Sequence, residues 1–331
     1  MATNTPSPAA SSPATSTVSP RVLHSTWAPS YADHRPDATD AELTEAADLL
    51  AGHRVLALTG AGLSTDSGIP DYRGPQARPR SPMTYQQFVA DPAFRRQYWA
   101  RNHIGWLHVG RTQPNAGHRA LADLERAGVL TGVITQNVDR LHQAAGSRHV
   151  LDLHGSYAEV VCLDCGRVIP RTELDERLAD LNPGFREAAL AASPEIAPDA
   201  DAVVADTDGF RVATCEVCGG TLKPHIVYFG ENVPPARVAR SYAMVDDATA
   251  LLVAGTSLAV QSGLRLVKRA ARAGKPVVVV NRGLTRGDDL ATLRLNAGTS
   301  RALPFLADEL TSSVPPRTTA TRATASARLD P

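Results

Sequence analysis

Short apolar runs that end abruptly in glycine or polar residues alternate along the chain with longer stretches of helical spacing. Four runs are clearest: Val55 to Thr59, Val129 to Thr135, Leu251 to Ala254 and Val277 to Val280. Their nearly continuous apolar character predicts strands covered on both faces, and the helical stretches predict crossovers, so the pattern points to a doubly wound parallel α/β sheet. Each run leads directly into chemistry-bearing residues: Gly60-Ala61-Gly62, Gln136-Asn137-Val138-Asp139, Gly255-Thr256-Ser257 and Asn281-Arg282-Gly283. Ligands of such sheets sit at the carboxyl ends of the strands, so these four endings are expected to converge on one crevice.

Two stretches break the pattern. Gly155 to Lys223 is polar and Pro-containing, without strong strand runs, and carries two cysteine pairs, which predicts a metal-binding insertion. Gly74 to Asn115 holds Tyr85, Phe88, Phe94, Tyr98, Trp99 and Trp106 at mixed helical spacings and predicts a helical insertion. Residues 74–115 and 155–223 are together expected to form a smaller domain, leaving 22–73, 116–154 and 224–312 for the larger one. Residues 1–21 and 313–331 are dominated by small and polar residues and proline, too poor in bulky apolar groups to offset ordering entropy, and predict disordered tails.

Charge narrows the choice of partners. The 34 Lys and Arg cancel the 34 Asp and Glu, so no net field draws the chain to nucleic acid or an anionic membrane, and neither is an expected partner. No run approaches the roughly 18 apolar residues of a membrane-spanning helix. All four cysteines fall into Cys162-x-x-Cys165 and Cys215-x-x-Cys218, a pattern that suits tetrahedral zinc in a reducing compartment, and a cytoplasmic location is expected. Four thiolates leave no open coordination position, so the expected zinc is structural. The intervening segment 166–214 is longer than the roughly 15 to 20 residues of a compact zinc ribbon and must loop out as an ordered insertion. Redox-active pairs are the competing reading, but nothing thioredoxin-like surrounds them.

The segment from Gly60 to Gly74 follows a predicted strand. Its leading glycines would allow a tight turn and close approach of backbone N–H groups to a pyrophosphate at a helix N-terminus. An ordinary dinucleotide fingerprint would place a third glycine at position 65, which is Thr65, and the turn Gly68-Ile69-Pro70-Asp71 breaks the helix early. A hydride-transferring dehydrogenase is therefore disfavoured. Asn137 and Asp139 stand where either a turn or a ligand contact would use them. His154 follows Val150-Leu151-Asp152-Leu153 at the mouth of the expected cleft, and an ordinary imidazole, with a pKa of about 6.5, takes up a proton near neutral pH. A lone histidine serves structure equally well, and His118, His142 and His225 are assigned that role.

Gly-Ala-Gly-x-Ser-x-x-Ser-Gly-Ile-Pro-Asp-Tyr-Arg, beginning at Gly60, resembles the nucleotide-binding signature of the sirtuins. The resemblance continues in order through Thr135-Gln136-Asn137-Val138-Asp139, Leu153-His154-Gly155, the cysteine pairs, Lys223-Pro224-His225-Ile226-Val227-Tyr228-Phe229-Gly230-Glu231, Gly255-Thr256-Ser257 and Asn281-Arg282-Gly283. Arg95 to Asn102, the long segment between the cysteine pairs and Asp288-Asp289-Leu290 look like the class II branch.

The resemblance implies a Rossmann-like domain that binds NAD as cosubstrate, a smaller domain with one structural zinc, and an acyl-lysine protein or peptide as the second substrate. It assigns NAD contacts to Gly60, Ala61, Gly62, Ser64 and Thr65, and to Ile69, Pro70, Asp71, Tyr72 and Arg73 of a loop folding over the dinucleotide. Further contacts fall to Gln136, Asn137, Val138, Asp139, Gly255, Thr256, Ser257, Asn281, Arg282, Gly283 and Thr299. Asn137 and Asp139 resemble the pair of the nicotinamide pocket. His154 resembles the catalytic base that activates a ribose hydroxyl for attack on the alkylimidate intermediate. Val227, Tyr228, Phe229 and Gly230 match the stretch that seats the peptide. The implied reaction is NAD-dependent lysine deacylation releasing nicotinamide and O-acyl-ADP-ribose, with protein ADP-ribosylation at the same site as the alternative. Nothing resembles the Tyr-x-x-Arg pair that captures acidic acyl groups in another branch, so an uncharged acyl chain is expected.

Overall fold

A computed structural model of the protein describes residues 35–72, 82–192, 202–204 and 206–312. Both expected tails, residues 22–34 of the expected larger domain, and Arg73 lie outside the described residues.

Six parallel strands form the main sheet: β1 (Val55–Thr59), β2 (Leu130–Thr135), β3 (Val150–Asp152), β7 (Ala250–Ala254), β8 (Val277–Val280) and β9 (Leu293–Leu295), in the order β3-β2-β1-β7-β8-β9. Three further strands, β4 (Gly155–Cys162), β5 (Val168–Pro170) and β6 (Leu222–Ile226), make a separate antiparallel sheet in the order β5-β4-β6. All four runs expected from the sequence are strands, and they are neighbours in the sheet. The direction of winding reverses between β1 and β7, which makes their carboxyl ends the switch point of the fold.

Side-chain alternation explains why the strands read as unbroken apolar runs. Val55 and Ala57 join Leu252, Ala254, Val278 and Val280 on one face, beneath α1 (Asp40–Leu50), α4 (Ala116–Ala127) and α10 (Thr299–Ser312). Leu56 and Leu58 join Leu251, Val253, Val277 and Val279 on the other, where Val245 of α8 (Pro235–Asp247) and Leu264, Leu266, Val267 and Ala270 of α9 (Gln261–Arg272) cover them. Both faces are buried, so neither residue parity can be polar.

The second core belongs to the small sheet. Tyr157, Val160, Cys162, Ile169, Leu222 and Ile226 pack with Phe88 of α2 (Tyr85–Ala90), Tyr98 and Trp99 of α3 (Pro92–Arg111), and Leu174 and Leu178 of α6 (Arg171–Leu181). The aromatic-rich helices therefore cover this sheet rather than the parallel one. Contrary to the expectation of a stretch without strand runs, Gly155–Cys162 is a continuous eight-residue strand. Its polar look arises because Glu159 faces solvent while Tyr157 and Val160 face the core. Strand β6, part of which was expected in the larger domain, pairs with β4.

Gly155 makes the passage between the two sheets. Its φ is +85°, and a Cβ there would lie 2.0 Å from the carbonyl oxygen of His225, so no other residue fits without moving the backbone. A similar constraint acts at the switch point. Gly255 has φ +62°, and a Cβ would come within 2.3 Å of the Leu63 amide nitrogen, while the Gly62 amide donates to the Gly255 carbonyl at 2.8 Å. Gly255→Ala combines left-handed strain with a backbone collision, and it should lower stability by about 2 kcal/mol or more. Thermal or urea unfolding of the variant tests this, and an unchanged midpoint would mean the two loops can separate freely.

Candidate functional site

After β1 the chain does not enter a long helix, as a dinucleotide fingerprint would require. It forms two single 3₁₀ turns, Ala61–Leu63 and Thr65–Ser67, ending at Gly68 with φ +90°. The expected pyrophosphate site at a helix N-terminus is thus absent after β1. Instead, Gly60 and Gly62 let this loop lie against Gly255: a Cβ on Gly60 would meet the Thr256 Cβ at 2.7 Å, and one on Gly62 the Gly255 carbonyl at 3.0 Å. Backbone lies on backbone between the β1 and β7 end loops.

Beyond β2, Asn137 donates through Nδ2 to the Gly60 carbonyl and to Ser64 Oγ, both at 3.0 Å. Ser64 Oγ donates onward to Asp139 Oδ2 at 2.7 Å, and the Leu141 amide donates to Asp139 Oδ1 at 2.9 Å. Burial pushes the Asp139 carboxyl above the usual carboxylate range, and these donors pull it partly back. Asp139 keeps some solvent exposure. Gln136 turns the other way: its Nε2 donates to Thr256 Oγ1 at 2.9 Å, tying the β2 end to the β7 end across β1.

His154, two residues past β3, lies over this junction. Its Nδ1 is 3.0 Å from the Gln136 carbonyl, which only accepts, so Nδ1 carries the proton. Its Nε2 is then an acceptor, and the Ser262 hydroxyl donates to it at 2.7 Å. Burial pushes the His154 pKa down to about 4, with the Gln136 contact opposing, so the ring is neutral at physiological pH. The Val227 amide donates to the His154 carbonyl at 2.7 Å, so the chain leaving β6 is pinned to the same residue.

The peptide-binding candidates divide by side-chain direction. Tyr228 is buried, its ring 5.3 Å from that of Phe88 and 5.4 Å from that of Tyr98, in the core of the small unit. Val227 and Phe229 are partly exposed, and Phe229 packs on Tyr72 at 5.8 Å and bridges to Thr84. Gly230, with φ +80°, turns the chain. Lys223 is buried behind the segment, pairs with Glu231 at 3.1 Å and lies 4.9 Å from the centre of the Tyr228 ring.

After β8, Asn281 donates through Nδ2 to the carbonyls of Arg282 and Gly283, and the Arg282 guanidinium lies against Gly298, next to Thr299 at the start of α10. Thr65 Oγ1 donates to the Gly62 carbonyl, Ile69 is buried beneath the loop, and Ala61, Pro70 and Asp71 continue its path. Val138 accepts from the Tyr157 amide and packs against the small unit, and Ser257 accepts from the Arg286 amide. Ser262 and Gly263 were not foreseen. Nothing in a Ser at the start of a helix signals a contact with a residue 108 positions away.

The four cysteines converge. Their sulfurs all lie within 4.8 Å of one another, with Cys162 to Cys218 at 3.5 Å and Cys165 to Cys215 at 3.8 Å. Tetrahedral zinc with bonds of about 2.3 Å sets its sulfurs about 3.8 Å apart, so the cluster fits. Each pair closes the same turn: the Gly166 amide donates to the Cys162 carbonyl and the Gly219 amide to the Cys215 carbonyl, both glycines having positive φ. Of the expected structural histidines, His118 and His142 are buried with pKa values pushed down by desolvation to about 4 and about 3, and His225 pairs with Glu159 at 2.9 Å.

The Sir2 family model matches residues 60–262, more than half of the chain. The chain belongs to the Sir2 family, the sirtuins. An NAD-dependent protein deacetylase 1 of Mycobacterium avium is 60% identical over 271 residues, covering 82% of this chain and 96% of the relative. A protein of the same name from Streptomyces coelicolor is 54% identical over 286 residues, 86% of this chain and 94% of the relative. A solved structure of Sir2 with a p53 peptide and NAD+ aligns with a TM-score of 0.64 at 32% identity, over 81% of this chain and 98% of that one. The sirtuin's Cys cluster and crevice loops thus sit in a family fold shared across nearly the whole length of these relatives. Among the described residues no helix is long and apolar enough to cross a membrane.

Two predictions concern stability. Cys215→Ser, or stripping zinc with a strong chelator, should melt the small unit and lower the unfolding temperature, because a closed thiolate site supplies folding free energy; a metal-free protein with unaltered melting would contradict this. Acidification from about pH 7 to about pH 5 should also destabilise the chain. Unfolded imidazoles take up protons below about 6.5, whereas His118 and His142 in the fold resist until about 4 and about 3, so each costs about 2 kcal/mol at about pH 5. The raised Asp139 and Asp152 take up protons first in the folded state and offset part of the loss. His142→Gln should flatten the pH dependence of the melting temperature, and a slope parallel to wild type would count against the buried ring as its source.

Proposed function

We propose that this sirtuin is an NAD-dependent protein lysine deacetylase with His154 as general base, releasing nicotinamide, free lysine and O-acyl-ADP-ribose. The observation that carries the reading is the bonding of His154. The Gln136 carbonyl fixes the proton on Nδ1, leaving a neutral ring whose Nε2 accepts, held over the junction of the β1, β2 and β7 ends. Relatives named NAD-dependent protein deacetylases at 60% and 54% identity support NAD as one substrate, and likeness to Sir2 with a p53 peptide supports an acyl-lysine peptide as the other.

NAD, when bound, supplies the ribose carbon to which the acyl oxygen becomes attached as nicotinamide leaves. The chain's own residues bind and orient. Gly60, Gly62 and Gly255 let the β1 and β7 end loops pack backbone on backbone at the switch point, the place where such a sheet receives a dinucleotide. Asp139, partly exposed and fixed by Ser64 and Leu141, offers a carboxylate oxygen to the nicotinamide amide. Asn137 is bonded to Ser64 and Gly60, and holds that group rigid. At the opposite end, Asn281, Arg282, Gly283 and Thr299 form the adenosine side. Val227 and Phe229 line the peptide channel with their partly exposed side chains, while Tyr228 supports it from the core side. A substrate adding as an extended strand gains main-chain hydrogen bonds with little sequence demand. The cysteine cluster, with no open coordination position, holds one structural zinc.

Purified protein incubated with NAD and an acetyl-lysine peptide should remove the acetyl mass, and mass spectrometry reads this directly. Gain of an ADP-ribose mass on the peptide instead would favour the transferase alternative. His154→Ala should cut deacetylation by about a hundredfold or more. The acid limb of kcat/KM should not appear at the ordinary histidine pKa of about 6.5 but lower, toward about 4, since burial disfavours the protonated ring. A limb near 6.5 would mean that the base is not the buried ring.

A further inference from the structure

Both nitrogens of His154 are engaged: Nδ1 with the Gln136 carbonyl and Nε2 with Ser262 Oγ. A substrate hydroxyl therefore has no direct route to the base while this arrangement holds. Ser262 is 8% exposed and stands in the first turn of α9, whose N-cap residue Val260 makes no side-chain cap. A serine in a helix's first turn commonly bonds to nearby backbone amides. Here the hydroxyl goes to the imidazole instead, and among the described residues it makes no other hydrogen bond. With its single proton directed at Nε2, Oγ retains acceptor capacity for another donor.

We propose that Ser262 is a proton relay between the ribose hydroxyl of the substrate and His154, a role that rests on the deacetylase reading above. The ribose O–H donates to Ser262 Oγ while Ser262 Oγ–H donates to Nε2. On transfer, the Ser262 O–H bond breaks as Nε2–H forms, and the ribose O–H bond breaks as a new Ser262 O–H forms. The serine ends unchanged, the ring becomes imidazolium, and the ribose oxygen gains the electron pair needed for attack. Gln136 contributes twice, holding Nδ1 through its carbonyl and tethering the adjacent Thr256 through its amide. Gly263 lets the helix start approach that amide, since a Cβ there would lie 2.9 Å from Gln136 Oε1.

The relay serves only the second half of the reaction, after nicotinamide has left. Ser262→Ala should therefore lower formation of deacetylated peptide by about tenfold or more, while exchange of labelled nicotinamide into NAD in the presence of acetyl peptide stays within about twofold of wild type. His154→Ala should give the same split, the double variant no further loss, and Ser262→Thr, which keeps the hydroxyl, should restore turnover. Equal melting temperatures would exclude misfolding as the cause. Ser262→Ala deacetylating as fast as wild type would overturn the relay and mean that the serine is displaced from Nε2 by substrate. Equal loss of exchange and deacetylation would overturn it in favour of a role in binding. If wild-type protein neither exchanges nicotinamide nor deacetylates, the failure lies with the deacetylase reading itself.

Discussion

Close backbone packing at the switch point of the parallel sheet is the constraint on which the rest depends. The β1 and β7 end loops touch through Gly60, Gly62 and Gly255, and a single Cβ at Gly255 would collide with the Leu63 amide. Only because these loops meet without side chains between them can Asn137 reach the Gly60 carbonyl and Gln136 reach Thr256. Those two amides lock the β2 end to its neighbours, and the carbonyl of Gln136 then sets the tautomer of His154, while burial keeps the ring neutral. The tautomer of His154 thus depends on packing between loops distant from it in the chain.

The small unit contributes through a second glycine. Gly155 carries the chain directly from His154 into β4, and the return from β6 is tied to the His154 carbonyl through Val227. His154 is consequently held at its backbone by the chain leaving β6 and at its ring by Gln136 and Ser262, and the segment Val227–Gly230 begins at the same place. The cysteine cluster joins the end of β4 to the loop before β6, so a structural zinc there ties these two strands together.

Much of this was legible in the residues themselves. Strands buried on both faces announce themselves as continuous apolar runs, and the four runs found in the sequence are the four central strands. Short edge strands β3 and β9 carry too few residues to stand out, and β4 escaped because its half-exposed face interrupts the apolar run. The glycine loop was recognisable, but its conformation was not. Two 3₁₀ turns replace the expected helix start because the loop packs on Gly255, a neighbour distant in sequence.

What the sequence determined by itself was composition at each strand end: glycines, amides, carboxylates, a histidine and two cysteine pairs, in an order that marks the sirtuins. Local physics suffices there, since apolar periodicity and metal-ligand spacing are properties of short segments. Tertiary structure alone decided which nitrogen of His154 accepts, that Ser262 is its donor, and that Tyr228 faces the core while Val227 and Phe229 do not. Those outcomes depend on contacts between residues far apart in the chain, and on burial that shifts a proton equilibrium, neither of which any short stretch of sequence encodes.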